Sequence, residues 1–368
     1  MIVEDFISRI FSIGKHPSPK EEFEALALEA FEFQRENCKV YREFLDLTEK
    51  GDFHPSSVAE IPFLPIRFFK SRDILSAPAS GNSIVFTSSA TTGMVPSHHI
   101  VHDISVYEKS FTEGFGLFYG DSGTYNLLAL LPSYLERKGS SLVYMAEKLI
   151  ARAKANGAEG GFYLYNHDEL LSDLKRLQAE SPKRKTILLG VSFALLDFAS
   201  FVAEQIPDTQ ERRKIFSDVV IMETGGMKGR GEELSREELH RRLANGFAGG
   251  RIDSEYGMCE LLSQAYSFPV EGFAQARNVD GVFFTPPWMR VMTRDFLDSL
   301  RITVREPYST GGLDIIDLAN IYSCCFIETE DQGRVFYACN AKKSVHPPFT
   351  VDGRIKNSER RGCNMLIE

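Results

Sequence analysis

The chain has 368 residues, of which 43% are hydrophobic and 25% charged, and this composition excludes disordered, collagen-like and low-complexity proteins. The 42 Lys and Arg residues against 51 Asp and Glu residues give a net charge of −9, which disfavours nucleic acid as a partner. The six cysteines show neither C-x-x-C spacing nor the density of a secreted disulfide scaffold. The N-terminus is acidic and no stretch suits a membrane span, so we predict a cytoplasmic protein with free thiols.

Residues 1–80 show the pattern of a mostly helical region. Apolar residues recur at helical spacing between Val3 and Phe11. The tetrapeptide at 18–21, Ser-Pro-Lys-Glu, has the form of a capping box with proline at the first helical position. We therefore predict that a helix begins there.

From residue 81 to residue 352, short apolar runs alternate with amphipathic stretches, which predicts an α/β sheet domain. A second capping box at Ser235 predicts a helix that ends at Asn245-Gly246, ahead of a short strand at Arg251–Glu255. Residues 353–368 have the composition of a basic, polar tail. The other runs that we interpret as strands are Ile84–Thr87, Asn126–Leu131, Leu142–Met145, Thr186–Gly190 and Val219–Glu223.

A loop rich in hydroxyl groups directly follows the apolar pair Ile84-Val85. Its sequence at 86–93 is Phe-Thr-Ser-Ser-Ala-Thr-Thr-Gly. Hydroxyls and backbone N–H groups on such a turn donate hydrogen bonds suited to a polyphosphate. Because no Gly-Lys-Ser/Thr of a P-loop follows, a solvated Ser/Thr turn remains the alternative.

Two further segments follow predicted strands. In the sequence Glu-Tyr-Gly-Met-Cys-Glu at 255–260, Tyr256 can stack on a purine and Glu260 can hold Mg²⁺. In the segment 223–230, the pair Gly225-Gly226 allows a ligand to approach the backbone closely. Taken alone, each segment suits a surface turn equally well.

Taken in this order, the segments resemble the adenylate-forming superfamily, which activates carboxylic acids with ATP. The sequence at 88–93 is similar to its phosphate-binding signature, 256–260 to its Tyr-Gly-x-Thr-Glu motif and 329–331 to its Thr-Gly-Asp motif, while Gly353-Arg354 falls at its hinge. The stretches Leu-Pro-Ser-Tyr-Leu-Glu-Arg and Ser-Ser-Leu-Val-Tyr-Met, at 131–137 and 140–145, resemble the acyl-protein synthetase branch. That branch is known from the fatty-acid reductase complexes of luminous bacteria.

The resemblance implies an α/β, adenylate-forming-enzyme-like domain with mixed sheets and packed helices, and ATP and Mg²⁺ as cofactors. It implies that Tyr256 stacks near adenine, that Asp331 and Arg354 grip the ribose hydroxyls, and that Glu260 contacts Mg²⁺ as a catalytic residue. It also implies a catalytic role for Thr91 in the phosphate loop. The remaining residues that it assigns to the nucleotide are Thr87, Ser88, Ser89, Thr92, Gly93, Gly225, Gly226 and Gly257.

The C-terminal sequence bears on the step after activation. Members of the superfamily that form coenzyme A thioesters usually carry a swinging subdomain with a catalytic lysine after the hinge, whereas here 15 residues follow Gly353. We therefore expect that subdomain to be absent or reduced to a short tail. The acyl-protein synthetase branch takes the acyl group on a cysteine in a Gly-Cys context, which Cys363 matches. Arg360 and Arg361 supply positive charge that favours its thiolate, and an unreactive thiol is the alternative.

The resemblance thus implies activation of a carboxylic acid, a fatty acid in this branch, and transfer of the acyl group to Cys363. A separate reductase is the partner that it implies. A coenzyme A ligase of the phenylacetate type is the alternative enzyme. Ala90 and Cys259 stand where the family has glycine and threonine, so a nucleotide- or acyl-binding protein without catalysis also remains open.

Three other features have simpler interpretations. His98, His99 and His102 have spacing that could suit a metal, but we interpret them as a polar rim of the phosphate loop. Cys324-Cys325 lies in a predicted strand, where adjacent side chains face opposite ways, and we interpret both as core thiols. Trp288 suits an acyl pocket and the core equally well.

Overall fold

Helices and short turns make up most of the N-terminal region in the computed structural model, which describes residues 1–88, 95–132, 137–180, 184–225, 234–268, 281–338 and 344–355. The helices are α1 (Val3–Ile10), α2 (Pro19–Asn37) and α3 (Lys39–Leu47), and a two-residue strand β1 (Leu64–Pro65) follows. Pro19 is the first residue of α2, as predicted, but the Ser18 side chain does not cap the helix. The capping box is absent because the Ser18 N–H faces the His16 ring, at 3.2 Å, instead of a Glu21 carboxylate.

A separate antiparallel hairpin follows, made of β2 (Ile84–Thr87) and β3 (His98–Val101). Its register pairs Ile84 with Val101 and Thr87 with His98. The apolar run at 84–87 is confirmed as a strand. The hairpin therefore holds Thr87 and His98, on either side of the hydroxyl-rich segment, next to each other.

Alternating helices and strands follow the hairpin, as predicted. In chain order they are α4 (Ile104–Tyr119), β4 (Asn126–Leu130), α5 (Ser141–Ala155), β5 (Gly160–Phe162), α6 (His167–Glu180), β6 (Thr186–Val191), α7 (Ser192–Gln205), α8 (Thr209–Phe216), β7 (Val219–Thr224), α9 (Arg236–Gly246) and β8 (Arg251–Tyr256). The strands pair in parallel in the order β5-β4-β6-β7-β8. Every residue of β4, β6 and β7 is buried, as expected of parallel strands covered on both faces.

One predicted strand in this part is wrong. Leu142–Met145 lies in α5, whose first turn is capped by the Ser140 hydroxyl accepting from the Val143 N–H at 3.4 Å. Val143, Tyr144 and Met145 belong to the buried side of that helix, so a short apolar run marked a helix rather than a strand. By contrast, the capping box at Ser235 is confirmed, because its hydroxyl accepts from the Glu238 N–H at 3.2 Å.

Antiparallel strands complete the sheet. They are β9 (Ala265–Ser267), β10 (Phe283–Phe284), β11 (Met289–Arg294), β12 (Ile302–Thr303), β13 (Ser309–Asp317), β14 (Phe326–Val335) and β15 (Phe349–Arg354). Among the described residues, the thirteen-stranded sheet runs β12-β11-β13-β14-β15-β10-β9-β8-β7-β6-β4-β5, with β1 alongside β14. This mixed sheet with packed helices confirms the predicted α/β fold class. None of the helices in the described ranges combines the length and apolarity that crossing a membrane requires.

The N-terminal helices pack on the antiparallel part of the sheet. The Gln34 amide on α2 donates to the Asn320 and Ile321 carbonyl oxygens at 3.1 and 3.0 Å, and accepts from the Cys325 N–H at 2.9 Å. Cys324 and Cys325 are fully buried, which confirms them as core thiols, although they precede β14 instead of lying in a strand. The turn at 318–320 is thereby fixed between α2 and the sheet.

Candidate functional site

Tyr256, Asp331 and Arg354 meet where β8, β14 and β15 approach one another. The Tyr256 hydroxyl donates to Asp331 Oδ2 at 2.8 Å, and Arg354 Nε lies 3.9 Å from Asp331 Oδ1. Asp331 and Arg354 are directly paired across β14 and β15. The phenol ring packs against Phe283 and Phe349, with centroids 5.7 and 5.6 Å apart. Three residues singled out in the sequence therefore form one polar group.

The electrostatics of this group suit hydrogen bonding to a hydroxylated ligand. Burial raises the pKa of Tyr256, so its phenol stays protonated and donates. Burial also raises the pKa of Asp331, while the Tyr256 hydrogen bond and the Arg354 charge lower it. The Asp331 side chain is 16% exposed and that of Arg354 is 78% exposed. A carboxylate with an exposed cation beside it can accept from sugar hydroxyls.

Glu260 lies in the turn after β8 and is 5% exposed. Burial raises the pKa of its carboxyl, whereas a hydrogen bond with the Ser97 side chain and the Arg354 charge lower it. Its backbone carbonyl accepts from Asn320 Nδ2 at 2.8 Å. Mg²⁺ commonly binds one or two carboxylates together with substrate phosphates and waters, so the single carboxylate of Glu260 fits that ion.

The β2–β3 hairpin brings Ser97 to Glu260 and Ser88, in the hydroxyl-rich loop, next to Ser97. The Ser88 N–H donates to the Ser97 carbonyl oxygen at 3.0 Å, and the Ser97 N–H donates to Ser88 Oγ at 2.9 Å. Thr87 is exposed, and its N–H donates to the Gly139 carbonyl oxygen at 2.7 Å. Thr87 and Ser88 thus lie at the mouth of the loop, with the Ser88 hydroxyl oxygen accepting from the opposite strand.

Gly225 follows β7 and adjoins a buried polar cluster that the sequence analysis missed. Ser192 Oγ contacts both Glu223 Oε1, at 2.5 Å, and the Gly225 carbonyl oxygen, at 2.7 Å. Arg236 donates to Ser254 Oγ at 2.9 Å and lies 3.9 Å from Glu223 Oε2. The sequence signal for this cluster is a polar residue inside each of two strands, Glu223 in β7 and Ser254 in β8, because buried polar groups need partners.

The Arg236 guanidinium also stacks 4.5 Å from the centroid of Phe283, the ring on which Tyr256 packs. Gly257 sits tightly against this part of the site, because a Cβ on it would lie 2.6 Å from Glu255 Oε1. Glu255 in turn accepts a hydrogen bond from the Thr224 hydroxyl. Gly225 and Gly257 therefore border the same region as Tyr256.

The three histidines do not form one polar rim. His98 Nε2 contacts the Asp73 carboxylate at 2.8 Å, and His102 stacks on Tyr322 with centroids 4.2 Å apart. His99 is instead 1% exposed, because alternate residues of β3 face opposite ways. In the part of the chain that the structure describes, no three His, Cys, Asp or Glu side chains are grouped as a metal site.

Trp288 belongs to the core. It is 2% exposed, and its indole N–H donates to Ser110 Oγ and Ser263 Oγ at 3.1 and 3.0 Å. The remaining predicted site residues lie outside the described ranges and stay predictions. They are Ser89, Thr91, Thr92, Gly93, Gly226 and Cys363.

No family model matches the chain, and no curated protein matches it. Among solved structures it is similar to the luciferase-like enzyme from the nonluminescent Zophobas morio mealworm, with 16% identity and a TM-score of 0.48 over 74% of this chain and 57% of that one. It is also similar to the adenylation domain of a keto acid-selecting NRPS module bound to keto acyl adenylate, with 14% identity and a TM-score of 0.47 over 76% and 52%. An NRPS protein containing adenylation and PCP domains shows 12% identity and a TM-score of 0.45 over 73% and 50%. The chain spans 50 to 57% of the length of these three structures.

Proposed function

We propose that this chain uses ATP to convert a carboxylic acid into an acyl-adenylate. The observation that carries the proposal is the contact of Tyr256 with Asp331, residues 75 positions apart, beside Arg354 and the turn after β8 that contains Glu260. The resemblance of the surrounding motifs to the adenylate-forming superfamily supports the same assignment. In this proposal Tyr256 and Asp331 hold the nucleoside, and the loop mouth at Thr87 and Ser88 faces the phosphates.

The chemistry needs positioning and charge neutralisation more than covalent help from the protein. A carboxylate oxygen of the acid forms a bond to the α-phosphorus, and the bond from that phosphorus to the bridging oxygen breaks, so pyrophosphate leaves with the electron pair. Bound Mg²⁺ supplies positive charge to the phosphate oxygens. Glu260 would hold that ion, the hydroxyl-rich loop would donate hydrogen bonds to the phosphates, and Asp331 would fix the ribose.

The direct test is acid-dependent exchange of labelled pyrophosphate into ATP, measured with a panel of carboxylic acids of increasing chain length. Exchange with one class of acid would support the proposal and name the substrate class. ATP binding by calorimetry without exchange under any acid would contradict it and favour a nucleotide-binding protein without catalysis.

The chain offers a matched control for the nucleoside site. Tyr119 donates to Asp253 Oδ2 at 2.9 Å, and Arg251 Nη2 lies 2.7 Å from the same oxygen, so the same three groups recur on the opposite face of β8. We expect Tyr256→Phe to raise the KM for ATP about 10-fold, since it removes a hydrogen bond to a charged group. Tyr119→Phe should leave that KM unchanged, and an equal effect of both variants would contradict the assignment.

We further propose that the acyl group, a fatty acyl group by the family resemblance, moves to the Cys363 thiolate. The thiolate sulfur would bond to the acyl carbon and AMP would leave. The four described cysteines suit this role poorly, because burial raises the pKa of the thiols of Cys38, Cys259, Cys324 and Cys325. Positive charge at Arg360 and Arg361 beside Cys363 would favour a thiolate there.

Intact mass after incubation with ATP, Mg²⁺ and the active acid tests this second step. We expect a thioester adduct that Cys363→Ser abolishes and that Cys339→Ser, the matched control, leaves intact, while pyrophosphate exchange survives in both. An adduct undiminished by Cys363→Ser would overturn the role of that cysteine. A thioester on added coenzyme A would favour a coenzyme A ligase, and transfer to a reductase would identify the partner that the resemblance implies.

A further inference from the structure

Two buried side chains hold the backbone on either side of the Glu260 side chain. His99 Nδ1 lies 2.9 Å from the Cys259 carbonyl oxygen, and Asn320 Nδ2 donates to the Glu260 carbonyl oxygen at 2.8 Å. His99 is 1% exposed and Asn320 is fully buried. Two consecutive carbonyl groups of the turn at 257–263, which we name the Glu260 turn, are therefore fixed by side chains from elsewhere in the chain.

The two side chains come from opposite sides of the turn. His99 lies on β3, where it pairs with Phe86 across the hairpin. Asn320 lies in the turn after β13. Asp317, at the end of β13, makes a second connection to the Glu260 turn, because its carboxylate accepts from the Leu262 and Ser263 N–H groups at 2.8 and 3.0 Å. The Glu260 turn is thus clamped between the hairpin that carries the hydroxyl-rich loop and the antiparallel part of the sheet.

Each clamping side chain has a second polar atom, and both side chains line the same small cavity. This cavity has about 10 Å³ available to the centre of a water molecule. His99 Nε2 and Asn320 Oδ1 have no hydrogen-bond partner among the described residues. This volume is at the lower limit for holding one water.

The hydrogen bonds fix which atoms are acceptors. The His99 Nδ1 contact is to a carbonyl oxygen, so Nδ1 carries the hydrogen and Nε2 presents a lone pair. Burial lowers the pKa of His99 to about 4, which keeps the ring neutral at physiological pH. Asn320 donates through Nδ2, which leaves Oδ1 as a second acceptor. One water can donate a hydrogen bond to both atoms, whereas the two atoms cannot bond to each other because both are acceptors.

We propose that His99 and Asn320, joined through one ordered water, are positioning residues that aim the Glu260 carboxylate at the metal-bound phosphates. The effect on catalysis rests on the proposed function. The positioning itself is supported by the two hydrogen bonds to the Cys259 and Glu260 carbonyl oxygens. Neither side chain touches the reacting atoms. Because a displacement of about 1 Å in a reacting group can cost about 100-fold in rate, loss of either contact should act through the orientation of Glu260.

The test compares His99 with His346, which is also buried, at 4% exposed, and contacts a backbone carbonyl, that of Pro287, at 2.8 Å. We expect His99→Leu and Asn320→Leu to lower the kcat of pyrophosphate exchange about 100-fold and to raise the Mg²⁺ concentration needed for half-maximal rate. His346→Leu should lower the melting temperature by about as much as His99→Leu does. It should leave the Mg²⁺ concentration needed for half-maximal rate unchanged. His99→Asn, which can keep a donor near the Nδ1 position, should restore most of the activity.

A second readout separates this inference from the proposed function. Mn²⁺ binding in the presence of a non-hydrolysable ATP analogue, followed by electron paramagnetic resonance, reports the metal environment in wild type and variants without turnover. An altered Mn²⁺ signal in His99→Leu but not in His346→Leu supports the inference even if the wild-type protein exchanges no pyrophosphate. Equal signals in both variants overturn it, as does a high-resolution density map that shows no water between His99 Nε2 and Asn320 Oδ1.

Discussion

The parallel and antiparallel parts of the sheet are continuous, yet they differ in the kinds of side chain that they bury. In β4, β6 and β7 every residue is buried, and most of these residues are apolar. In the antiparallel part, Arg294 on β11 is buried with Asp314 on β13, with Nη1 and Oδ1 2.6 Å apart. The guanidinium also donates to the Leu313 and Thr329 carbonyl oxygens at 3.1 and 2.6 Å. Apolar packing therefore dominates β4, β6 and β7, where Glu223 near the end of β7 and its partner Arg236 are the exception, whereas the antiparallel part contains an internal ionic network.

The backbone of β13 is shaped around that network. Its register shifts between Gly312 and Asp314, opposite β14. A Cβ on Gly311 or Gly312 would collide with Arg294. The contact at Gly312 is with the guanidinium and the one at Gly311 is with the Arg294 backbone carbonyl, so Gly312 leaves room for the buried side chain. The antiparallel part therefore depends on specific polar partners as well as on burial.

The largest effect is expected where the ionic network is cut. Arg294→Met conserves much of the side-chain volume but leaves Asp314 buried without its partner, so we expect the free energy of unfolding to fall by about 3 to 5 kcal/mol in chemical denaturation. Arg334 provides the control, since it pairs with Asp352 across β14 and β15 with both side chains about one-third exposed. Arg334→Met should cost less than about 1 kcal/mol. Similar losses in the two variants would remove the distinction between the two kinds of ion pair.

A smaller loss is expected from a cavity in the parallel part. Leu188 is fully buried in β6, and Leu188→Ala removes apolar contacts on a strand that has neighbours on both sides. We expect the free energy of unfolding to fall by about 3 kcal/mol. Leu188→Met, which nearly conserves volume, should cost less than about 1.5 kcal/mol. If the methionine variant were as unstable as the alanine variant, packing volume would not be what holds this part together.

These two parts also differ in how well the sequence predicts them. The strands at 126–130, 186–191 and 219–224 were predicted because a buried parallel strand is a continuous apolar run. Strands β11, β13 and β15 were not predicted, and near β14 the sequence predicts a strand only at Cys324-Cys325, just before it begins, since charged and glycine residues interrupt the apolar pattern of these strands. The error at Leu142–Met145 has the related cause that a short apolar run does not distinguish a strand from a buried helix side.

The candidate site was predictable where motifs carry it and unpredictable where tertiary contacts do. Tyr256, Asp331 and Arg354 were each identified from short motifs, and the structure brings them together. The contacts of His99 with Cys259 and of Asn320 with Glu260 span 160 and 60 residues, so no local pattern announces them. Arg236 was noticed only as part of a capping box, because its burial depends on β7, β8 and Phe283.

The antiparallel part also contains a buried carboxyl that makes stability depend on pH. Burial raises the pKa of Asp317, at the end of β13, to about 6, although four hydrogen bonds oppose the shift. The folded state then binds a proton more tightly than the unfolded state, so Asp317 contributes stability that grows as pH falls from about 6 towards 4. We expect the difference in free energy of unfolding between wild type and Asp317→Asn to grow by about 2 kcal/mol between pH 7 and pH 4.5. A constant difference would show that the Asp317 carboxyl titrates normally.

The smallest effects on stability are expected at the two predicted capping boxes, of which only the one at Ser235 is formed. Ser235 accepts from the Glu238 N–H, so Ser235→Ala should cost about 1 kcal/mol. The Ser18 side chain makes no such contact, and Ser18→Ala should change the free energy of unfolding by less than about 0.5 kcal/mol. Thermal unfolding of the two variants measured side by side checks the difference. Equal losses would mean that the Ser18 hydroxyl caps α2 in solution.

The β2–β3 hairpin has a consequence of its own. It forms a separate two-stranded sheet, and isolated hairpins are marginally stable in water, so the bond from His99 to the Cys259 carbonyl oxygen is one of its anchors. Linkage is reciprocal: if the hairpin orders the Glu260 turn, then whatever orders that turn stabilises the hairpin by the same free energy. A ligand held at Glu260 should therefore slow amide hydrogen exchange at residues 84–86, which lie outside the proposed nucleotide site.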